Sequence, residues 1–83
     1  MESEGTAMAN KESIFNEMWH ELRDYYAPTM SLPEAIRTIG KYMTGSGHEV
    51  YSCGRGKLKI DGEFFQISKP DGYVHFEIRQ IAG

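Results

Sequence analysis

Cations and aromatic rings alternate through the C-terminal third of this sequence. Ammonium and guanidinium groups pair with phosphates or carboxylates, and aromatic rings stack on nucleobases or on other rings. If the fold gathers these side chains on one surface, their chemistry is non-covalent binding of an anionic or aromatic partner. The candidate binding residues are Lys57, Lys59, Phe64, Tyr73, His75 and Arg79.

Two turns decide how these residues are arranged. Asp61 and Gly62 predict a two-residue hairpin, because both central positions of a type I′ turn need a positive φ. Residues 69–72 (Lys-Pro-Asp-Gly) predict a second turn, since proline fixes φ and glycine accepts φ > 0. The first turn pairs Lys59 with Phe64. A four-residue loop at the second turn pairs Ser68 with Tyr73, so that three antiparallel strands follow one another.

Both turns sort the side chains onto the same two faces, because successive residues of a strand point to opposite sides. One face is apolar and is predicted to form the core; the other is polar, mostly basic and carries two aromatic rings. The predicted core face consists of Leu58, Ile60, Phe65, Ile67, Val74, Phe76 and Ile78. The predicted binding face consists of Lys57, Lys59, Phe64, Gln66, Tyr73, His75, Glu77 and Arg79.

Two helices are predicted before these strands. The first begins after an N-cap at Asn10 and runs to about Tyr26, with a broad apolar stripe that includes Trp19. The second begins at Ser31 and Glu34, which form a capping box, and runs to about residue 43. Gly40 interrupts this second helix, so we expect another backbone to approach it closely. Residues 1–9 have no apolar period and are expected to be disordered.

A further strand, residues 48–53, precedes the other three. A three-residue loop after it places Val50 on the core face, whereas a four-residue loop would place Glu49 and Tyr51 there. We favour the first, because it buries the apolar residue. The sequence therefore predicts an α+β domain over residues 10–83. Its order is α-α-β-β-β-β, with two helices on one face of a four-stranded antiparallel β-meander.

Three other candidate sites are weaker. The glycine-rich loop around Arg55 offers amides and a cation for a phosphate, although a tight hairpin that needs positive φ angles is the favoured explanation of its glycines. His20 and Asp24 have the spacing of two metal ligands on a helix but do not complete a site. Cys53 lies near cations but has no base beside it. We expect no metal, no cofactor and no enzymatic activity, since no catalytic signature is present.

The amino-acid composition further limits the class of protein that this chain can be. The chain has 83 residues and one cysteine, so an intramolecular disulfide is excluded. The net charge of −3 divides into −5 over residues 1–34 and +2 over residues 35–83, which predicts an acidic helical side and a mildly basic sheet. We find no membrane span and no secretory signal, and we expect a cytoplasmic protein.

Three interpretations of the polar sheet face remain open. It is a plain solvated surface, a protein interface, or a nucleic-acid interface, and the acidic first helix is a second surface for a basic protein partner. The net negative charge of the chain weighs against the nucleic-acid interface. We expect a small interaction protein with a regulatory or inhibitory role, of the size that bacteria and phages use as accessory proteins, acting as a monomer or weak homodimer. The element order itself carries no function.

Overall fold

Two helices precede a four-stranded sheet. The structure is a computed structural model that describes the backbone of residues 2–82 and the side chains of residues 12–82. The helices are α1 (Glu2–Leu22) and α2 (Leu32–Gly45), and the strands are β1 (Val50–Gly54), β2 (Lys57–Ile60), β3 (Glu63–Ser68) and β4 (Glu77–Ile81). The strands pair in the order β1-β2-β3-β4, each antiparallel to the next. The predicted α+β fold is confirmed.

Local signals set the limits of the helices. The hydroxyl of Ser31 accepts a hydrogen bond from the amide of Glu34 at 3.2 Å, so the predicted cap of α2 forms. α1 ends at Leu22, four residues before its predicted end. α1 begins at Glu2, so the predicted helix start after an N-cap at Asn10 was wrong. The expected disorder of residues 1–9 stays a prediction. Over the described residues, neither helix has the length and apolar character needed to cross a bilayer.

The first two hairpins have the predicted register. Lys59 pairs with Phe64 across a turn in which Asp61 has a φ of 50° and Gly62 a φ of 87°. On the other side of β2, Val50 pairs with Ile60, as the three-residue loop predicts. A bulge between residues 52 and 54 shifts the pairing by one residue at the end of β1. Val50 therefore shares a face with the core.

The predicted register of the last hairpin was wrong by four residues. Ser68 pairs with Glu77 and not with Tyr73, so the loop spans residues 69–76. Contacts with the first half of the chain and with the core hold this longer loop. The amide of Ala27 donates to the carbonyl of Val74 at 3.1 Å, and Phe76 is buried, with only 4% of its surface exposed. Because the shift is an even number, Glu77 and Arg79 keep their predicted face.

Both helices pack against one face of the sheet and form a single core there. Val74 was predicted to join this core but is 47% exposed, and Trp19 of the predicted helical stripe is 43% exposed. The core is formed by apolar side chains from both helices, from the sheet and from the connecting loops: Ile14, Met18, Leu22, Tyr25, Ala27, Ala35, Ile39, Met43, Leu58, Ile60, Phe65, Ile67, Phe76 and Ile78. The opposite face of the sheet is thus left for other contacts.

Candidate functional site

The face of the sheet opposite the core carries a continuous row of cationic and aromatic side chains. Tyr51 pairs with Lys59, Lys59 pairs with Phe64, and Phe64 pairs with Ile81, so the row crosses all four strands. Tyr51 is exposed, while the other three are half-buried by their neighbours. We call the surface formed by Tyr51, Lys57, Lys59, Phe64, Gln66 and Arg79 the open face.

A second row of the open face adds positive charge. Lys57 pairs with Gln66, and Gln66 pairs with Arg79. The predicted grouping of Lys57, Lys59, Phe64 and Arg79 on one surface is therefore what the structure shows. Three cations within two adjacent rows, with an exposed tyrosine beside them, form a surface that attracts carboxylates or phosphates.

Phe64 lies under the two lysines of the neighbouring strand. The ammonium nitrogen of Lys57 is 5.2 Å from the centre of the Phe64 ring, and that of Lys59 is 5.6 Å away. At these distances the cations are attracted to the ring face, and their aliphatic stems shield it from water. The ring is thus covered from within the chain, and it holds the two lysine side chains in place above the sheet.

Tyr73 and His75 do not join the open face. The longer loop carries them to the side of α1, where they line a separate cavity of about 390 Å³ together with Trp19 and Arg23. The guanidinium carbon of Arg23 lies 4.9 Å from the centre of the Trp19 ring. Tyr73 is 62% exposed. We call these four residues the aromatic pocket; tryptophan, tyrosine and arginine are the residue types that dominate protein interfaces.

The loop around Arg55 is a strained hairpin. Arg55 has a φ of 56° and Gly56 a φ of 81°, both in the left-handed region. A Cβ on Gly56 would lie 2.3 Å from the carbonyl oxygen of Ile67, so only glycine fits there. The side-chain amide of Gln66 also donates to the Arg55 carbonyl at 2.8 Å. The glycines of this loop are explained by the hairpin, and phosphate binding at Arg55 stays a prediction.

His48 connects three elements through its two ring nitrogens. Nδ1 lies 2.6 Å from Oδ2 of Asp61, in the turn between β2 and β3, and Nε2 lies 3.0 Å from Oε1 of Glu17, on α1. Because each nitrogen faces a carboxylate, the doubly protonated imidazolium satisfies both contacts. The hydrogen bond with Asp61 raises the pKa of His48; burial opposes this rise, and the contact with Glu17 adds to it. The same bond lowers the pKa of Asp61.

We expect this bridge to make folding stability depend on pH. The raised pKa of His48 means that its contribution is complete below about pH 6.5 and is lost as the pH rises through the pKa of the folded state. The lowered pKa of Asp61 means that its part is lost below about pH 3.8. Thermal unfolding of wild type and His48→Gln between about pH 5 and pH 8 checks this. The wild type should be more stable at pH 5, by the roughly 0.2–1 kcal/mol of an accessible ion pair, and the advantage should shrink towards pH 8. A constant difference across that range would contradict the assignment.

A cavity beside α2 was not predicted from the sequence. It is a groove of about 560 Å³ between α2 and β1, lined by Ile36, Arg37, Gly40, Lys41, Val50 and Leu58 among others. Gly40 was expected to admit a neighbouring backbone, and this was wrong. The nearest atom to a Cβ placed there is a methyl group of Val50, Cγ1, at an ordinary 3.8 Å. A glycine in a helix costs about 1 kcal/mol relative to alanine, and packing inside the chain does not require it here.

Two acidic residues of α1 make contacts within the protein. Glu17 contacts His48, and Glu21 accepts a hydrogen bond from the hydroxyl of Tyr25 at 3.2 Å. Burial, together with the Glu21 carboxylate, raises the pKa of Tyr25. Among the described residues no cluster of three or more His, Cys, Asp or Glu side chains is arranged to hold a metal ion. Cys53 is exposed and carries a free thiol.

Comparisons with known proteins give no relative. No protein-family model matches the chain, and no curated protein matches its sequence. No solved structure matches its fold at a significant level. The function therefore has to be inferred from the surfaces described above.

Proposed function

We propose that this chain is a small, non-enzymatic protein-binding domain that holds an acidic surface of its partner against the open face. The observation that carries the proposal is the row of Tyr51, Lys59 and Phe64, which crosses adjacent strands and is flanked by Lys57 and Arg79. A broad, regular sheet surface of this kind suits a folded partner better than a small ligand, which needs a concave site.

A protein partner fits this surface better than a nucleic acid. Base stacking needs a free aromatic face, and the ring of Phe64 already lies under two ammonium groups. The chain as a whole is acidic, with a net charge of −3, whereas nucleic-acid-binding domains are usually basic. Lys57, Lys59 and Arg79 suit carboxylates, with which arginine forms paired hydrogen bonds.

The open face is also favoured over the acidic surface of α1. Glu17 and Glu21 are engaged within the chain, by His48 and Tyr25 respectively. Binding a basic partner there would compete with these contacts. The cations of the open face make no ion pair among the described residues, so they are available to an acidic partner.

The test is affinity capture from a lysate of the source cells, followed by a measured dissociation constant for the captured protein. We expect the variant Lys57→Glu, Lys59→Glu, Arg79→Glu to bind at least about tenfold more weakly, a loss of about 1.4 kcal/mol or more, because three attractive contacts become repulsive. The matched control is Arg37→Glu, Lys41→Glu, Arg55→Glu, which changes the net charge equally on another surface and should leave the affinity for a partner held by the open face unchanged.

Two outcomes would contradict the proposal. Equal capture by both triple variants and the wild type would remove the open face as the interface. Binding of short mixed-sequence DNA or RNA by the open face, with an affinity that falls steeply as salt rises, would assign the surface to nucleic acid instead.

A further inference from the structure

Among the described residues, no strand pairs with the outer edge of β1, and two residues of this strand line the groove beside α2. β1 is the first strand in the sheet order, and within the described part of the chain it pairs with β2 alone. The amide of Asp61 donates to the carbonyl of Glu49 at 2.9 Å, which identifies these two residues as a hydrogen-bonded pair of the ladder. In an antiparallel ladder such pairs alternate, so Tyr51 bonds towards β2 while the amides and carbonyls of Val50 and Ser52 point outwards.

The residues with outward-pointing backbone groups also line the groove. Val50 and Ser52 contribute to the cavity of about 560 Å³, and Ser52 continues into a second cavity of about 340 Å³. The two cavities share Ile36 and Arg37 as well, so they form one groove along α2. We call this the edge groove. A strand added to β1 would bond to Val50 and Ser52 and would place alternate side chains in the groove.

Gly40 keeps the edge groove open. A side chain at this position would project from α2 towards Val50, which lies on the opposite wall. Gly45, at the end of the same helix, also lines the groove, and a Cβ there would meet nothing within 4 Å. Two glycines in one helix, neither of them needed for internal packing, are explained if the space that they leave is occupied by another molecule.

The rim of the edge groove is positively charged. Arg37 and Lys41 are one helical turn apart on α2, and Arg55 lies across from them in the loop between β1 and β2. No aspartate or glutamate lines either cavity, and none of the three cations forms an ion pair among the described residues. An apolar floor of Ile36 and Val50 below a cationic rim is complementary to a segment that carries both apolar and acidic side chains.

We propose that the edge groove binds an extended peptide segment of another protein, which pairs with β1 as a fifth strand. Its apolar side chains fill the groove at alternate positions, and its carboxylates contact Arg37, Lys41 and Arg55. A second copy of this chain suits the site less well. Symmetric pairing of two β1 edges would bring two cationic rims together, and like charges across an interface repel. This site is independent of the open face.

The experiment is selection from a displayed library of random peptides, with the wild-type protein as bait. We expect enrichment of peptides that alternate apolar with acidic residues, and we expect an enriched peptide to slow the hydrogen exchange of the Val50 and Ser52 amides. Gly40→Leu fills the groove and should weaken that peptide at least tenfold. Because leucine favours helix more than glycine does, this variant should fold, which its thermal unfolding verifies.

Charge variants separate this proposal from the proposed function. Arg37→Glu, Lys41→Glu, Arg55→Glu should lose the peptide, whereas Lys57→Glu, Lys59→Glu, Arg79→Glu should keep it. The proposal is overturned if no peptide is enriched, if the peptides bind Gly40→Leu equally well, or if Val50 and Ser52 exchange as fast with peptide as without it. A concentration-dependent dimer that Gly40→Leu abolishes would also overturn it, since the occupant would then be a second copy.

Discussion

Gly56→Ala is expected to destabilise the protein by about 2–4 kcal/mol. This loss is larger than the one expected for the same substitution at Gly54, in the same β1–β2 hairpin. Alanine at a φ of 81° costs about 1–2 kcal/mol. In addition, its Cβ would lie 2.3 Å from the carbonyl oxygen of Ile67, so the β1–β2 loop and β3 must move apart. That movement weakens the hydrogen bond from the Ile67 amide to the Gly56 carbonyl, now 2.8 Å long and worth about 1 kcal/mol.

Gly54→Ala is the matched control for this prediction. Gly54 lies in the same hairpin with a φ of 86°, but a Cβ there would meet nothing within 4 Å. We therefore expect only the conformational cost of about 1–2 kcal/mol. Urea unfolding of both variants and the wild type measures the difference. Equal destabilisation by the two substitutions would show that the close approach between the β1–β2 loop and β3 is not formed as described.

The β1–β2 and β2–β3 hairpins show which parts of this fold the sequence can specify. The pairing of Lys59 with Phe64 follows from two adjacent residues, Asp61 and Gly62, whose φ angles admit few alternatives. Val50 was placed correctly because a one-residue slip would have exposed it and buried Glu49. Where a local rule and the apolar pattern agree, the register can be predicted.

The last hairpin shows where this reasoning fails. A turn forms one residue later than predicted, at residues 70–73, since the Tyr73 amide donates to the Pro70 carbonyl at 3.4 Å, but β4 does not begin there. The loop continues because Val74 bonds to Ala27 and Phe76 is buried in the core. Those contacts join residues far apart in sequence, and the alternation of side chains is unchanged by a shift of four. The sequence thus predicted the faces of Glu77 and Arg79 but not the position of Tyr73 and His75.

The edge groove was missed for a related reason. A glycine inside a helix indicates that space is needed at that point, but it does not say what fills the space. Only the distance between α2 and β1 shows that Gly40 faces a groove and not another backbone. The positive charge of Arg37 and Lys41 was visible in the sequence, whereas their position above an apolar floor depends on how the helix lies on the sheet.

Phe65→Ala is expected to cost about 3–5 kcal/mol, a large fraction of the stability of a domain of this size. Phe65 is fully buried on β3, a strand that has partners on both sides. Phe64→Ala is an unusually close control, because it removes the same ring from the next position of the same strand. Phe64 is half-buried under Lys57 and Lys59, so we expect a loss of only about 0.5–1.5 kcal/mol. Thermal or urea unfolding compares the two.

The same pair of variants separates stability from binding. If the open face is the interface, Phe64→Ala should weaken the captured partner although the protein remains folded, because the ring positions the two ammonium groups. Phe65→Ala should affect binding only by lowering the folded fraction. A Phe64→Ala variant as unstable as Phe65→Ala would show that Phe64 belongs to the core. A folded Phe64→Ala variant with unchanged affinity would show that Lys57 and Lys59 bind without its help. The alternation of one strand thus assigns Phe65 to folding and Phe64 to recognition, and each assignment can fail separately.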